Sequence, residues 1–94
     1  MKLLMALIDA ACKEELEVVL RRAGVTGYTE IPNAVGMGTS GPRLGSAAFP
    51  KTSAVVLAFV EEADVERVGA AIHAQCPARG RVHLITWGVE SLDA

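Results

Sequence analysis

The hydrophobic pattern of this 94-residue chain occurs twice, and this internal repeat restricts its possible folds more than any other feature. Ala6–Asp9 aligns with Ala58–Glu61 at an offset of 52 positions. The helical positions that align behind these segments are Leu16 with Val68 and Leu20 with Ile72. Two strand–helix–strand units form a ferredoxin-like βαββαβ sandwich, whose four-stranded antiparallel sheet carries both helices on one face. We therefore expect this α+β fold, formed by residues 1–94 as a single domain.

Four segments have the apolar character of β-strands, namely Lys2–Ile8, Gly27–Val35, Thr52–Val60 and Val82–Ile85. The first and third are apolar almost throughout, which is typical of central strands that are buried on both faces. Pro32 lacks a backbone N–H group, so it favours an edge position or a bulge in the second segment. Residues Trp87–Ala94 are expected to form a tail or a brief extra element.

Two segments show helical periodicity with matching end signals. The apolar faces consist of Leu16, Val19, Leu20 and Ala23 in the first helix and of Val65, Val68, Ala71 and Ile72 in the second. The first helix begins near Cys12, carries Arg21 and Arg22 in its last turn, and has Gly24 as its C-terminal cap. Acidic residues precede the second helix, and Pro77 ends it.

Composition and charge exclude several function classes. Apolar residues make up 51% of the chain, which excludes disorder as the main state, and the net charge of −2 provides no electrostatic surface for DNA or an anionic membrane. The apolar stretches are too short to cross a bilayer, and Met1–Ile8 lacks the pattern of a signal peptide. Only Phe59 could stack on an RNA base in this fold. We expect a cytoplasmic protein with no nucleic-acid partner.

The cysteines and histidines give no metal-binding pattern. Cys12 and Cys76 lie far apart with no CxxC motif, and His73 and His83 have no partner at ligand spacing, so we expect no metal site. The helices of this fold run antiparallel, which would allow Cys12 to approach Cys76 as a redox-linked pair. In a reducing compartment, two separate thiols are the more usual outcome.

The segment Gly36–Pro50 differs from the rest of the chain because it contains four glycines and two prolines. We expect a long irregular loop here, and such loops in small domains tend to be functional. Gly36–Gly41 matches GxGxxG, but a dinucleotide site would need a helix next, and Pro42–Gly45 does not form one. Two interpretations remain open: a nest of backbone N–H groups that binds an anion, and a mobile loop without a ligand.

Arginines near two glycine segments are candidate anion ligands. Arg43 is the only charged residue between Glu30 and Lys51, and it could hold a phosphate, a carboxylate or a partner protein. A solvated surface arginine is the more common situation. Arg79-Gly80-Arg81 also suits phosphate oxygens, although a solvated turn is the default interpretation of this tripeptide.

The sequence contains no recognisable catalytic constellation. No Ser/His/Asp set and no paired carboxylates with a basic partner can be placed, and the helix start explains Glu61, Glu62 and Asp64. We therefore assign no catalytic residue and expect a protein that is not an enzyme.

Several segments resemble one known family, the P-II-like signalling proteins. The matching segments are Met1–Ile8, Gly24–Thr29, Val35–Gly38, Gly41–Gly45, Phe49–Pro50 and Gly80–Leu84. Gly24–Thr29 resembles the family's "G-x-x-G-x-T", and Val35–Gly38 resembles the valine and alternating glycines that precede its long T-loop. The resemblance implies a homotrimer with the ferredoxin-like fold, in which residues 36–50 correspond to a shortened T-loop.

The family resemblance also implies a ligand site. Adenine nucleotides bind between subunits of these proteins, and the T-loop base and a second, B-loop segment contact the phosphates. The candidate ligand-binding residues are Gly36, Gly38, Thr39, Ser40, Arg43, Gly80 and Arg81. Thr39 stands where the family has an arginine, and the loop lacks the tyrosine that is uridylylated, so control by uridylylation is not expected.

The expected function is that of a P-II-like regulatory protein. It would sense a small anionic ligand such as ADP, ATP or AMP, hold no tightly bound cofactor, and regulate a partner such as a membrane transporter through its loop. The alternatives are an ACT-type amino-acid-binding module, a CutA-type trimer that is a small enzyme or a metal-handling protein, and a purely structural trimer. CutA-like chains lack a long glycine-rich loop, which favours the first function.

Overall fold

The computed structural model describes residues 1–38, 41–76 and 82–93. Its strands are β1 (Lys2–Asp9), β2 (Tyr28–Ala34), β3 (Gly36–Gly38), β4 (Gly41–Arg43), β5 (Ser53–Val60) and β6 (Val82–Gly88). Its helices are α1 (Lys13–Arg22) and α2 (Val65–Gln75), and a 3₁₀ turn precedes each of them, at Ala10–Cys12 and at Glu62–Asp64. In the part of the chain that the structure describes, no helix is long and apolar enough to span a bilayer.

Four of the strands form one antiparallel sheet in the order β2-β5-β1-β6. The two apolar strands β1 and β5 lie at its centre, as their composition predicts. This strand order and the two helices confirm the predicted α+β, ferredoxin-like sandwich.

The internal repeat is visible in the element boundaries. The two 3₁₀ turns, Ala10–Cys12 and Glu62–Asp64, lie 52 positions apart, as do the first residues of α1 and α2. Asp9 and Glu61 occupy equivalent N-cap positions immediately before these turns. The two halves of the chain therefore carry different side chains at equivalent backbone positions. A residue of one half can serve as the control for its equivalent in the other half.

The hydrophobic core lies between the helices and one face of the sheet. Alternate residues of β1 and β5 are buried against apolar residues of both helices, because successive strand residues point to opposite faces. The core residues are Leu4, Ala6, Ile8, Leu16, Val19, Leu20, Ala54, Val56, Ala58, Val60, Val68 and Ile72. The residues between them on β1 and β5 face away from the helices, and the opposite face of the sheet is thus left open.

Gly24 ends α1 in the predicted way. It has a φ of +85°, which lies in the left-handed region that glycine adopts without strain. Its N–H donates to the Arg21 carbonyl at 3.1 Å, and the Val25 N–H donates to the Leu20 carbonyl at 2.9 Å. This paired arrangement satisfies carbonyls that the helix end would otherwise leave free.

Both edge strands have features that the hydrophobic pattern only partly indicates. Strand β2 lies at the edge and its register shifts between Ile31 and Ala34, so the expected effect of Pro32 is confirmed. Strand β6 is longer than predicted: Trp87 pairs with Leu3, and the expectation of a tail that starts at Trp87 is wrong. The exposed side chains at this end of β6 do not show the alternation by which a sequence marks a strand.

The two cysteines form a disulfide bond between Cys12 and Cys76, with their Cα atoms 6.1 Å apart. The expectation of two separate thiols is therefore wrong. Antiparallel packing brings the start of α1 next to the end of α2, so two residues that are 64 positions apart in sequence become neighbours.

Candidate functional site

The glycine-rich segment begins with a short β-hairpin. Strands β3 and β4 pair in register, with Gly36 opposite Arg43 and Gly38 opposite Gly41. The expectation that residues 36–50 are irregular throughout is therefore wrong for this part. We call β3 and β4 together the hairpin; Thr39 and Ser40 lie outside the described residues.

A tight turn connects the hairpin to β5. The Leu44 and Ser46 N–H groups donate to the Phe49 carbonyl, at 3.3 and 3.0 Å. Gly45 has a φ of +65°, and a Cβ atom there would lie 3.0 Å from the Thr52 side chain. Glycine suits this position, because another residue would meet both the strain of a positive φ and a close contact with Thr52.

Arg43 is buried beneath the hairpin, with only 7% of its surface exposed. Its guanidinium forms an ion pair with the Asp9 carboxylate and donates to the Ser53 hydroxyl and the Thr52 carbonyl, each at 3.1 Å. We call these four residues the Arg43 cluster. The more common expectation of a solvated arginine is wrong, because the ends of the two central strands provide acceptors for its N–H groups.

Asp9 links the cluster to the first helical segment. One carboxylate oxygen pairs with Arg43, and the other accepts the Ala11 N–H at 2.9 Å, which caps the 3₁₀ turn. Burial by itself would raise the pKa of Asp9. The Ala11 hydrogen bond and the positive charges of Arg43 and Lys51 outweigh it, so that the pKa lies below its ordinary value.

A cleft opens beside the base of the hairpin and has a volume of about 120 Å³. Its lining combines apolar side chains, glycine backbone and two members of the Arg43 cluster. The lining residues are Leu7, Ile8, Ala34, Val35, Gly36, Met37, Gly38, Arg43 and Ser53. An apolar surface with a few polar groups and accessible backbone is typical of small-molecule sites.

The structure brings together three of the candidate ligand-binding residues. Gly36, Gly38 and Arg43 all line the cleft. Thr39, Ser40, Gly80 and Arg81 lie outside the described residues. Among the residues that the structure does describe, no group of His, Cys, Asp or Glu is arranged to hold a metal ion.

Sequence reasoning missed Asp9 and Ser53 as members of the site. Asp9 is paired with Ser53 across β1 and β5, and both lie at the strand ends that receive Arg43. One signal was available: Asp9 is a charged residue directly after a continuous apolar strand, a position at which a carboxylate needs a partner.

We predict that the stabilising effect of the Asp9 charge is lost at low pH. Asp9→Asn should lower the free energy of unfolding by about 3 kcal/mol near pH 7, because Arg43 stays buried without its counter-charge. Since folding lowers the pKa of Asp9, the contribution is complete above the unfolded value of about 4 and declines as pH falls through the folded value.

Urea denaturation between pH 7 and pH 2 measures this difference between the wild type and the variant. The control is Asp64→Asn, since Asp64 forms an exposed pair with Arg67 at 3.4 Å and should contribute about 1 kcal/mol or less. Parallel pH profiles for the wild type and Asp9→Asn would show that the cluster does not stabilise the fold through charge.

The fold is similar to those of known proteins. A structure of CPII, a nitrogen regulatory PII-like protein from Thiomonas intermedia bound to ADP, AMP and bicarbonate, is 29% identical; the match covers 94% of this chain and 88% of that chain, with a TM-score of 0.69. A second CPII structure, with ADP and bicarbonate, is 30% identical over the same shares, also with a TM-score of 0.69.

A more distant structure supports the fold alone. A PII-like signalling protein from Thermus thermophilus is 16% identical and has a TM-score of 0.70, with 92% of this chain and 83% of that chain covered. A comparison with curated protein sequences found no significant match. The family model described as "Nitrogen regulatory protein P-II" matches residues 1–87, nearly the whole chain. This chain therefore belongs to the P-II family, as the resemblance of its glycine segments predicted.

Proposed function

We propose that this protein is a homotrimeric regulator that binds an adenine nucleotide at the base of the hairpin. Ligand binding would change the conformations available to residues 36–50, and a partner such as a membrane transporter would respond to that change. The role is regulatory rather than catalytic. The proposal places the protein in the cytoplasm, where adenine nucleotides are available.

The observation that carries the ligand proposal is the cleft beside Gly36 and Gly38. Relatives 29–30% identical to this chain are described as bound to ADP, and in one case also to AMP. A Cβ atom on Gly36 would meet no atom within 4 Å, so the space in front of its backbone is open to a ligand. Backbone N–H groups without side chains can approach an anion closely, as in other glycine-rich phosphate sites.

Arg43 acts in this proposal as a positioning residue. Its guanidinium already donates to Asp9, Ser53 and Thr52, and this network fixes the hairpin base against the two central strands. A phosphate contact would then come from the backbone of the hairpin and, as the family resemblance implies, from Gly80 and Arg81. Thr39 and Ser40 remain proposed ligand-binding residues on the same basis.

The size of the cleft favours a site that a neighbouring subunit completes. Its volume of about 120 Å³ is smaller than the roughly 300–1,000 Å³ of ordinary ligand pockets. One chain would hold part of a nucleotide and leave the rest exposed. A trimer would enclose the remainder, in agreement with a site between subunits.

The open face of the sheet supports self-association. It carries large apolar side chains on all four strands, of which Phe59 is 64% exposed and Ile31 is 50% exposed. The apolar members of this face are Leu3, Met5, Leu7, Ile31, Val55, Leu57, Phe59, Ile85 and Trp87. A contiguous apolar surface of this kind is rarely left in contact with water.

The hairpin and the following turn support a contact with another protein. Met37 is 76% exposed, and Leu44 and Phe49 are also exposed although they are apolar. A segment that served only as a flexible connection would have no need of these side chains. A partner could bury them, and its affinity would then depend on how the ligand fixes the hairpin base.

We predict that Gly36→Val blocks nucleotide binding without unfolding the protein. The new side chain finds open space in the free protein but occupies the approach of a ligand. Loss of one hydrogen bond to a charged group costs about 1.5–3 kcal/mol, so the Kd for ADP should rise roughly 10- to 150-fold. Isothermal titration calorimetry measures it.

The matched control is Gly88→Val. Gly88 also faces open space, but it pairs with Lys2 at the end of β1 that is remote from the cleft. Its variant should bind ADP as the wild type does. Wild-type protein that binds none of ADP, ATP and AMP would contradict the proposed ligand, and equal affinities of the wild type and Gly36→Val would contradict the proposed place.

We predict that Phe59→Asp dissociates the trimer. The residue is exposed on the open sheet face, so a carboxylate there leaves the core of one chain intact but prevents burial of the face. Size-exclusion chromatography with light scattering should give three times the mass of one chain for the wild type and a single chain for the variant. Val18→Asp, exposed on the outer face of α1, should remain trimeric. A monomeric wild type at micromolar concentration would contradict the proposal.

A further inference from the structure

We propose that the Cys12–Cys76 disulfide is a redox switch for ligand binding at the base of the hairpin; this inference rests on the function proposed above. Cys12 ends the 3₁₀ turn before α1, and Cys76 is the C-cap residue of α2. The bond therefore ties the end of one helix to the turn that donates hydrogen bonds to two members of the Arg43 cluster, Asp9 and Thr52. Reduction would release this tie.

The first part of the connection runs along the 3₁₀ turn. Ala11, next to Cys12, donates its N–H to the Asp9 carboxylate at 2.9 Å. Ala10 donates its N–H to the Thr52 carbonyl at 3.1 Å. A change in the position of Cys12 therefore acts directly on two hydrogen bonds that hold Asp9 and Thr52.

The second part of the connection is the Arg43 cluster. Asp9 and Thr52 accept hydrogen bonds from the turn, and both also accept N–H groups of the Arg43 guanidinium. Arg43 is the last residue of the hairpin. Asp9 and Arg43 are buried and Thr52 is half-buried, so water has little access to compensate for a shift of one member. The connection from Cys12 to the lining of the cleft is thus continuous through covalent bonds and hydrogen bonds.

The second half of the repeat lacks this arrangement. Glu61 occupies the position of Asp9 but its side chain does not cap the turn, and Asp64 stands at the position of Cys12. Asp64 is instead paired with Arg67 on the surface of its own helix. The 3₁₀ turn of the first half therefore carries both a capping carboxylate and one end of the disulfide, and the turn of the second half carries neither.

The switch itself is an ordinary thiol–disulfide exchange with a dithiol. Cys76 is 6% exposed and Cys12 is half-buried, so a thiolate of the dithiol attacks the Cys12 sulfur and displaces the Cys76 thiolate. The second thiol then resolves the mixed disulfide and releases Cys12. The dithiol gives up two electrons and two protons and leaves as its own disulfide, and the protein gains two thiols. In reducing compartments, the disulfides that do form are usually transient or redox-sensing.

Calorimetric titration of ADP into the oxidised chain and into the chain with excess dithiothreitol tests the switch. We expect reduction to weaken binding by about fivefold or more, the lower end of ordinary allosteric couplings. The variant Cys12→Ser/Cys76→Ser should bind as the reduced chain does and should not respond to dithiothreitol. Equal affinities in the two redox states would overturn the proposal.

Two further variants test the route through the turn. Asp9→Asn removes the charge that connects the turn to Arg43, so its ADP affinity should no longer depend on the redox state. Glu61→Gln, at the equivalent position of the second half, should keep the full redox effect. A redox effect that persists in Asp9→Asn would show that the connection does not pass through the Arg43 cluster, and would overturn the proposed route.

Amide hydrogen exchange provides a readout that needs no ligand. Reduction should speed exchange at Ala10 and Ala11 by about fivefold or more, whereas the Asp64 amide, in the equivalent turn, should change little. If neither redox state binds ADP, the proposed function fails. In that case the exchange rates at Ala10 and Ala11 still test the switch, and unchanged rates on reduction would overturn it. A reduced chain that is unfolded by circular dichroism would make the disulfide a structural staple and would equally overturn it.

Discussion

The buried ion pair between Arg43 and Asp9 is the interaction on which the arrangement of the site depends. An arginine is costly to bury unless its charge is paired and its N–H groups find acceptors. Arg43 meets both conditions only where β1 and β5 end side by side, because Asp9, Thr52 and Ser53 are placed there by the register of the two central strands. The hairpin is consequently fixed at its base, and the cleft lies directly beside that fixed point.

The repeat explains both what the sequence predicts well and where it misleads. The topology follows from the apolar runs of β1 and β5 and from the apolar faces of α1 and α2. These patterns are visible in the sequence because a buried strand or helix face requires apolar residues at regular positions. The hairpin was not predictable in the same way, since its strands have three residues each and contain glycine and proline. Arg43 and Asp9 are 34 positions apart, and only the strand register of the folded chain shows that they form a buried ion pair. The antiparallel helices allow Cys12 to approach Cys76, but separate thiols are the usual outcome in a reducing compartment, so the bond itself was not predicted.

The candidate site combines residues that the sequence predicted with residues that only the structure revealed. The family resemblance implies Gly36 and Gly38 as ligand-binding residues, and both line the cleft. Asp9 was not expected, because a carboxylate at a strand end resembles the ordinary start of a helix, as Glu61 does in the second half. Because the two halves differ at these positions, the candidate site lies at one end of the sheet and not at the other.

Membership of the P-II family gives the cleft a chemical context, since CPII structures with ADP are similar over nearly the whole chain. We propose that the Arg43–Asp9 pair stays intact and fixes the hairpin base as the place where the nucleotide binds. A crystal structure of the protein with ADP tests this most directly. The account predicts ADP between subunits, against the backbone of Gly36–Gly38, with Arg43 still paired with Asp9. Nucleotide at any other place, or Arg43 turned away from Asp9 towards the phosphates, would contradict it.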